Sequence, residues 1–313
     1  MATHGTGCED STGLYAGKRT ATLCDMWLRS LLLSALMLGC GSGEPEPSAS
    51  TDAVTVASDT DAGPIDPIGP GIDRLNAARA AAGVEPVEII TALNGGCEKH
   101  VAYMAAVGKV VHSEDPAHPA YTAAGAAAGE AANLAQDVAG LDEAVGLWRD
   151  AIYFRLPMLN PGVGHVGVAF QDGWVCLDLF SAFAAVEGHA PVPWPAGDAA
   201  GVPTTLHDAG ALDPRPPGYT PPNGTIVSLL FAPDAIVDTA TFTAALSTGG
   251  APVEAFTRLP NDPNDPYRVR QGNAVTLIPR HPLGPLTTYD VFMAGKVDGE
   301  DFQKLWQFTT GED

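Results

Sequence analysis

Positive charge is the scarcest commodity in this 313-residue chain, where 16 lysines and arginines face 37 aspartates and glutamates for a formal net charge of −21. Such a balance repels nucleic-acid phosphates and anionic lipid headgroups, so neither is expected as a partner. Long apolar runs are also missing. The strongest, Leu31 to Leu38, falls short of the ~20 residues that a helix needs to span a bilayer. No Gly-x-Ser-x-Gly elbow is present, which leaves serine-based nucleophilic catalysis without its usual signature. Internal repeats are lacking too. Only five cysteines occur, too few for a disulfide-built scaffold.

What is present begins with the short run itself. Residues 31–40 read LLLSALMLGC, with Arg29 ahead and Gly41-Ser42-Gly43 behind, the layout of a signal peptide. Its end resembles the bacterial lipobox, in which a lipidated cysteine, here Cys40, becomes the new N-terminus. Translation is expected from Met26, and residues 1–39 are set aside as an upstream segment plus signal peptide. That segment is neutral, with Lys18, Arg19 and Arg29 against Glu9, Asp10 and Asp25, so the mature protein keeps the full acidic excess. Processing leaves Cys97 and Cys176. In an exported chain they form either one disulfide, closing a long loop worth roughly 4 kcal/mol, or two buried thiols. The bridge requires Cα atoms about 4.4–6.8 Å apart.

Residues 40–71 are Ser, Asp, Pro, Gly, Thr and Glu with scattered apolar positions, and are expected to form a disordered stalk. From Ile72 the texture is alanine-rich and helical. Ile72, Leu75, Ala78 and Ala82 share a face with Arg79 at its margin, and Gly83 ends the helix. A second helix runs to Val107 with Cys97, His100, Val101 and Met104 three or four apart. A third is expected over Asp142–Phe154, with Trp148 and Tyr153 in the core. His165–Phe180 alternates as a β-hairpin turning at Asp172-Gly173. Past Pro191 short strands separated by Pro, Gly, Asn and Asp turns take over. The layout therefore predicts an α+β domain over 72–190, a proline-rich linker over 191–205 and a β-sandwich over 206–313.

Leu75, Asn76, Arg79 and Gly83, then His100, Ala102, Tyr103 and Met104, then His112-Ser113, Gly129-Glu130, Asn133-Leu134-Ala135, Trp148, Leu159-Asn160-Pro161 and Val166-Gly167-Val168-Ala169 follow one another in a familiar order. In that order the stretch from Ile72 to Ala190 resembles the CAP superfamily of cysteine-rich secretory, antigen 5 and pathogenesis-related proteins. The resemblance implies an α-β-α sandwich. The closing stretch Leu277–Gly311 resembles a bacterial immunoglobulin-like domain.

CAP domains often carry a cleft of two histidines and two glutamates that can hold a divalent metal. Carried over residue by residue, the resemblance places the first histidine at His112. The glutamate is displaced to Glu130, with Ala131 and Ala132 between it and Asn133, and the second histidine falls on Phe154. The expected cleft is thus His112, Glu114, Glu130 and Phe154, degenerate and without a metal or other cofactor. His112, Glu114 and His118 form a rival cluster in HSEDPAH, an irregular loop where such residues are commonly just solvated. His100 reads as a core histidine and His165 as an edge-strand surface residue. Asp262-Pro263-Asn264-Asp265 lacks the glycine and distal glutamate of a calcium loop and reads as a solvated turn.

These readings predict a bacterial cell-envelope lipoprotein, tied to the membrane by its lipid alone or else secreted. Its CAP-like domain is expected to bind a small apolar or lipid-like ligand, or an envelope component, without catalysis. A hydrolase using His112 and Glu130 and a purely structural envelope protein are the competing classes.

Overall fold

Asp66 opens the described chain by accepting the backbone N–H groups of Ile68 and Gly69 on one carboxylate oxygen, 2.9 and 3.1 Å away. These bonds favour the ionised carboxyl and hold its pKa below the usual value. Helix α1 (Gly69–Ala81) follows, with a proline in its first turn and left-handed Gly83 just past its end. The computed structural model describes residues 66–206, 212–219 and 222–312. Cys40, the expected signal segment and the expected stalk up to residue 65 lie outside the described residues, and the last part of the stretch expected as stalk, 66–71, instead leads into α1.

The first half continues through β1 (Glu88–Ile89), α2 (Thr91–Val107), α3 (Ala123–Glu130), β2 (Ala132–Ala135), α4 (Leu141–Asp150), α5 (Ile152–Met158), β3 (His165–Gln171) and β4 (Trp174–Asp178). Its sheet has the order β1-β3-β4-β2, parallel at β1/β3 and antiparallel elsewhere. The expected hairpin is β3–β4, joined by Asp172 and Gly173, both at positive φ. Alternation along these strands feeds two cores. Val166, Val168, Val175 and Leu177 pack under α1 and α4 with Leu75, Leu141 and Trp148. On the opposite face Ala169 and Cys176 pack under α2 and α3 with Cys97, Val101 and Met104. The half is therefore an α-β-α sandwich.

Two local expectations need correction. The helix expected over Asp142–Phe154 is broken at Ala151, which takes an extended conformation, and α5 turns away to bury a different face. Arg79 is not marginal but fully buried. Its guanidinium donates to the carbonyls of Glu85, Met158, Asn160 and Val163 at 2.6–3.1 Å, and burial pushes its pKa down to about 10.

The second half comprises β5 (Val192–Trp194), β6 (Ala199–Val202), β7 (Val227–Leu230), β8 (Thr243–Thr248), β9 (Ala251–Val253), β10 (Ala255–Arg258), the short helix α6 (Arg268–Gln271), β11 (Ala274–Pro279), β12 (Thr288–Val297) and β13 (Glu300–Thr310). They form two sheets, β10-β11-β7-β5 and β6-β13-β12-β8-β9. Between them pack Val227, Leu229, Val275, Leu277, Val291, Trp306 and Phe308, a β-sandwich core. The stretch 191–205, expected as a linker, instead supplies β5 and β6. Its prolines are tolerated because each strand is the outermost of its sheet.

The halves are not separate beads. The outer face of the β10-β11-β7-β5 sheet packs Val192, Ile226, Leu230, Ala274 and Ile278 against Ile152, Tyr153, Leu156 and Leu159 at and just beyond α5. Strands β7 and β11 are accordingly buried along their whole length, on both faces. Within α5, Arg155 is fully buried; it donates to the carbonyls of Arg149 and, across the junction, Ile226, and lies 5.4 Å over the Trp194 ring. Tyr153 donates its hydroxyl to Asp265 of the sandwich at 2.7 Å.

Candidate functional site

The residues expected to form the cleft come from the loop between α2 and α3, from the end of α3 and from α5. Thr122 caps α3 by accepting the Gly125 N–H on its hydroxyl, and the helix then runs along α2 at close range. The contact is tight because α3 presents glycines: a Cβ on Gly129 would stand 2.2 Å from the His100 ring, and one on Gly125 would stand 2.4 Å from Glu114 Oε1.

His100 and Glu114 are the best-enclosed polar pair of this half, with both side chains fully buried and Nδ1 3.0 Å from Oε1. The Nε2–H of His100 donates to the Val111 carbonyl at 2.8 Å, so one proton sits between Nδ1 and Oε1. Glu114 Oε2 accepts the Thr122 N–H. Every hydrogen-bonding atom of the pair is thus committed to holding the 108–122 loop against α2. Glu114 consequently does not join His112 in a cleft.

His112 is half-buried and donates its Nδ1–H to the Gly129 carbonyl at 2.9 Å. Burial is the main cause of a lowered pKa, opposed by the Gly129 bond and reinforced by the nearby Arg270 and His100. The neutral imidazole is the form this setting favours. His118 turns the other way, its ring edge-on to Tyr103 at 5.1 Å and its Nδ1 accepting the Ala120 N–H. The HSEDPAH side chains therefore diverge, and among the described residues no three His, Cys, Asp or Glu groups are arranged to hold a metal ion.

Glu130 ends α3 exposed to solvent, and among the described residues it has no hydrogen-bond partner. Phe154 is half-buried against the core beneath α1 and α4, and its carbonyl accepts the Asn133 side-chain amide at 3.0 Å. His165 is exposed at the start of β3. In the sandwich, Asp262 accepts from Arg258 and from both Asn264 N–H groups, so that turn is closed on itself rather than open for an ion.

Cys97 and Cys176 are bridged, with Cα atoms 5.3 Å apart. The bond ties α2 to β4.

A concavity does exist, but elsewhere. Where α5 meets the sandwich a groove of about 360 Å³ opens, lined by Tyr153 and Leu156, by Phe180 and Phe183 of the turn after β4, and by residues 269–273. The two phenyl rings lie 5.7 Å apart. Phe180 is 45% exposed and Val269 88%, an unusual amount of apolar surface to leave beside a groove. Arg270 lies on the sandwich rim, near enough to His112 for its charge to be felt there. Sequence reasoning placed Tyr153 in the core and singled out neither Arg155 nor Arg270. The uninterrupted apolar character of 226–231 and 274–278 was the available signal, since strands of that kind are covered on both faces.

Residues 72–178 match the family model for CAP, the cysteine-rich secretory protein family. The matched stretch runs from within α1 to the end of β4 and does not extend into the sandwich. No curated protein matches the chain.

Proposed function

We propose that this protein is a non-enzymatic binding protein of the bacterial cell envelope, anchored through lipidated Cys40 or secreted. In it a CAP domain and an immunoglobulin-like sandwich jointly present a site for a small apolar or lipid-like ligand. The observation that carries the reading is the fate of the acid–base groups. Glu114 is consumed by His100 and Thr122, His112 spends Nδ1 on Gly129, Glu130 stands in solvent, and position 154 is phenylalanine. General acid–base or metal-assisted hydrolysis needs at least two such groups converging on one reacting atom. A groove with aromatic walls supports binding instead.

Zinc titration tests the reading directly. Tight metal binding would raise the thermal midpoint when zinc greatly exceeds its dissociation constant. The expected outcome is an unmoved midpoint and no saturable heat. A tight site that disappears in His112→Ala would overturn the reading in favour of a metal-dependent hydrolase.

A further inference from the structure

The groove between α5 and the sandwich has a chemical bias that narrows its ligand. Among the fourteen residues lining it, Arg270 is the one that carries a charge. The polar neighbours are largely spoken for. Tyr153 gives its hydroxyl to Asp265, Gln271 gives its amide hydrogens to the carbonyls of Leu259 and Ala274, and Asn273 gives its own to those of Ala232 and Ala235.

Arg270 itself is exposed and, among the described residues, pairs with no carboxylate. Other cations of the described residues, Arg268 and Arg280 among them, also pair with no carboxylate, but Arg270 is the one that lines this groove. A guanidinium at the rim of an apolar groove meets an anion in surroundings of lowered dielectric, and its fork of donors suits a planar oxyanion.

We propose that this groove binds a compact apolar or aromatic anion, its body against Phe180, Phe183 and Leu156 and its charge on Arg270. The assignment rests on the reading of the protein as an apolar-ligand binder and adds the requirement for one negative charge. It also draws on both halves, because Leu156, Phe180 and Phe183 come from the first and Leu230, Phe231, Val269 and Arg270 from the sandwich.

Two dyes with the same rings separate the two statements. 8-Anilinonaphthalene-1-sulfonate carries the charge and N-phenyl-1-naphthylamine lacks it. Fluorescence titration of the full exported chain should show a single site that prefers the sulfonate by about tenfold, the scale of one charge-assisted hydrogen bond. Arg270→Gln should abolish that preference and leave the neutral dye unchanged, whereas Phe180→Ala should weaken both. These two side chains are exposed, so neither variant threatens the fold. Equal binding of both dyes, or a sulfonate affinity indifferent to Arg270→Gln, would overturn the anion assignment alone. Failure of both dyes to bind would remove the apolar-ligand reading with it.

Discussion

Asn76 and Arg79 show how a family-like string can be structural from end to end. Asn76 exchanges two hydrogen bonds with the backbone of Val87, and Arg79 gathers the carbonyls of 85, 158, 160 and 163, so that α1 fixes the loops before β1 and β3. Glycines on the facing elements work the same way, by what they leave out. Gly129 makes room for the His100 ring, whereas Gly95, inside α2, has open space where a Cβ would go. Alanine at these two positions should therefore act in opposite directions. Gly129→Ala overpacks the buried pair and is expected to cost about 1–3 kcal/mol. Gly95→Ala removes backbone freedom from the unfolded chain at no steric cost and should stabilise by about 0.5–1 kcal/mol. Urea denaturation of both variants measures the contrast; equal and same-signed shifts would contradict the packing described for α3.

Helix α2 is held to the sheet by a covalent bond as well as by packing. The bridge joins residues 79 apart in sequence, and closing a loop of that length limits the unfolded ensemble by roughly 4 kcal/mol in the chain-entropy account. Replacing both cysteines with alanine should lower stability by about 2–4 kcal/mol, read as a lowered urea midpoint with a steeper slope, because the uncrosslinked denatured chain exposes more surface. A midpoint that does not move would mean that α2 and β4 are held by packing alone. At this scale much was legible in the sequence. The periodicity of α2, the Asp172-Gly173 hairpin and the spare cysteine pair each carry a local physical signal. Elements α3 and β2 left no such mark, because an alanine-rich stretch offers no polar–apolar contrast to set a period. The break at Ala151 was equally hidden. Nothing local ends the helix there; what turns α5 is the sandwich surface it buries against. The candidate site fared similarly, since the pairing of Glu114 with His100 rather than His112 depends on α3 closing over the loop.

For the whole molecule the decisive fact is that one sheet serves two cores. Leu229 and Leu277 face the sandwich interior while Leu230 and Ile278 face α5, so β7 and β11 cannot keep their burial if either half leaves. Polar groups strengthen the joint. Burial and the Asp265 carboxylate push the Tyr153 phenol pKa upward, which keeps it a donor at any physiological pH. Burial lowers the Arg155 pKa to about 9, and removal of its guanidinium would leave the Ile226 carbonyl without that donor. The two halves form one compact unit and should unfold as one. Calorimetry of the folded region is expected to give a single endotherm, with the van't Hoff enthalpy close to the calorimetric one. Arg155→Ala should lower its midpoint without splitting it, because the apolar seam along Ile152, Leu156 and Leu159 remains. Two resolved transitions in the unaltered protein would mean that the seam stabilises neither half. A groove needing walls from both would then lose its basis.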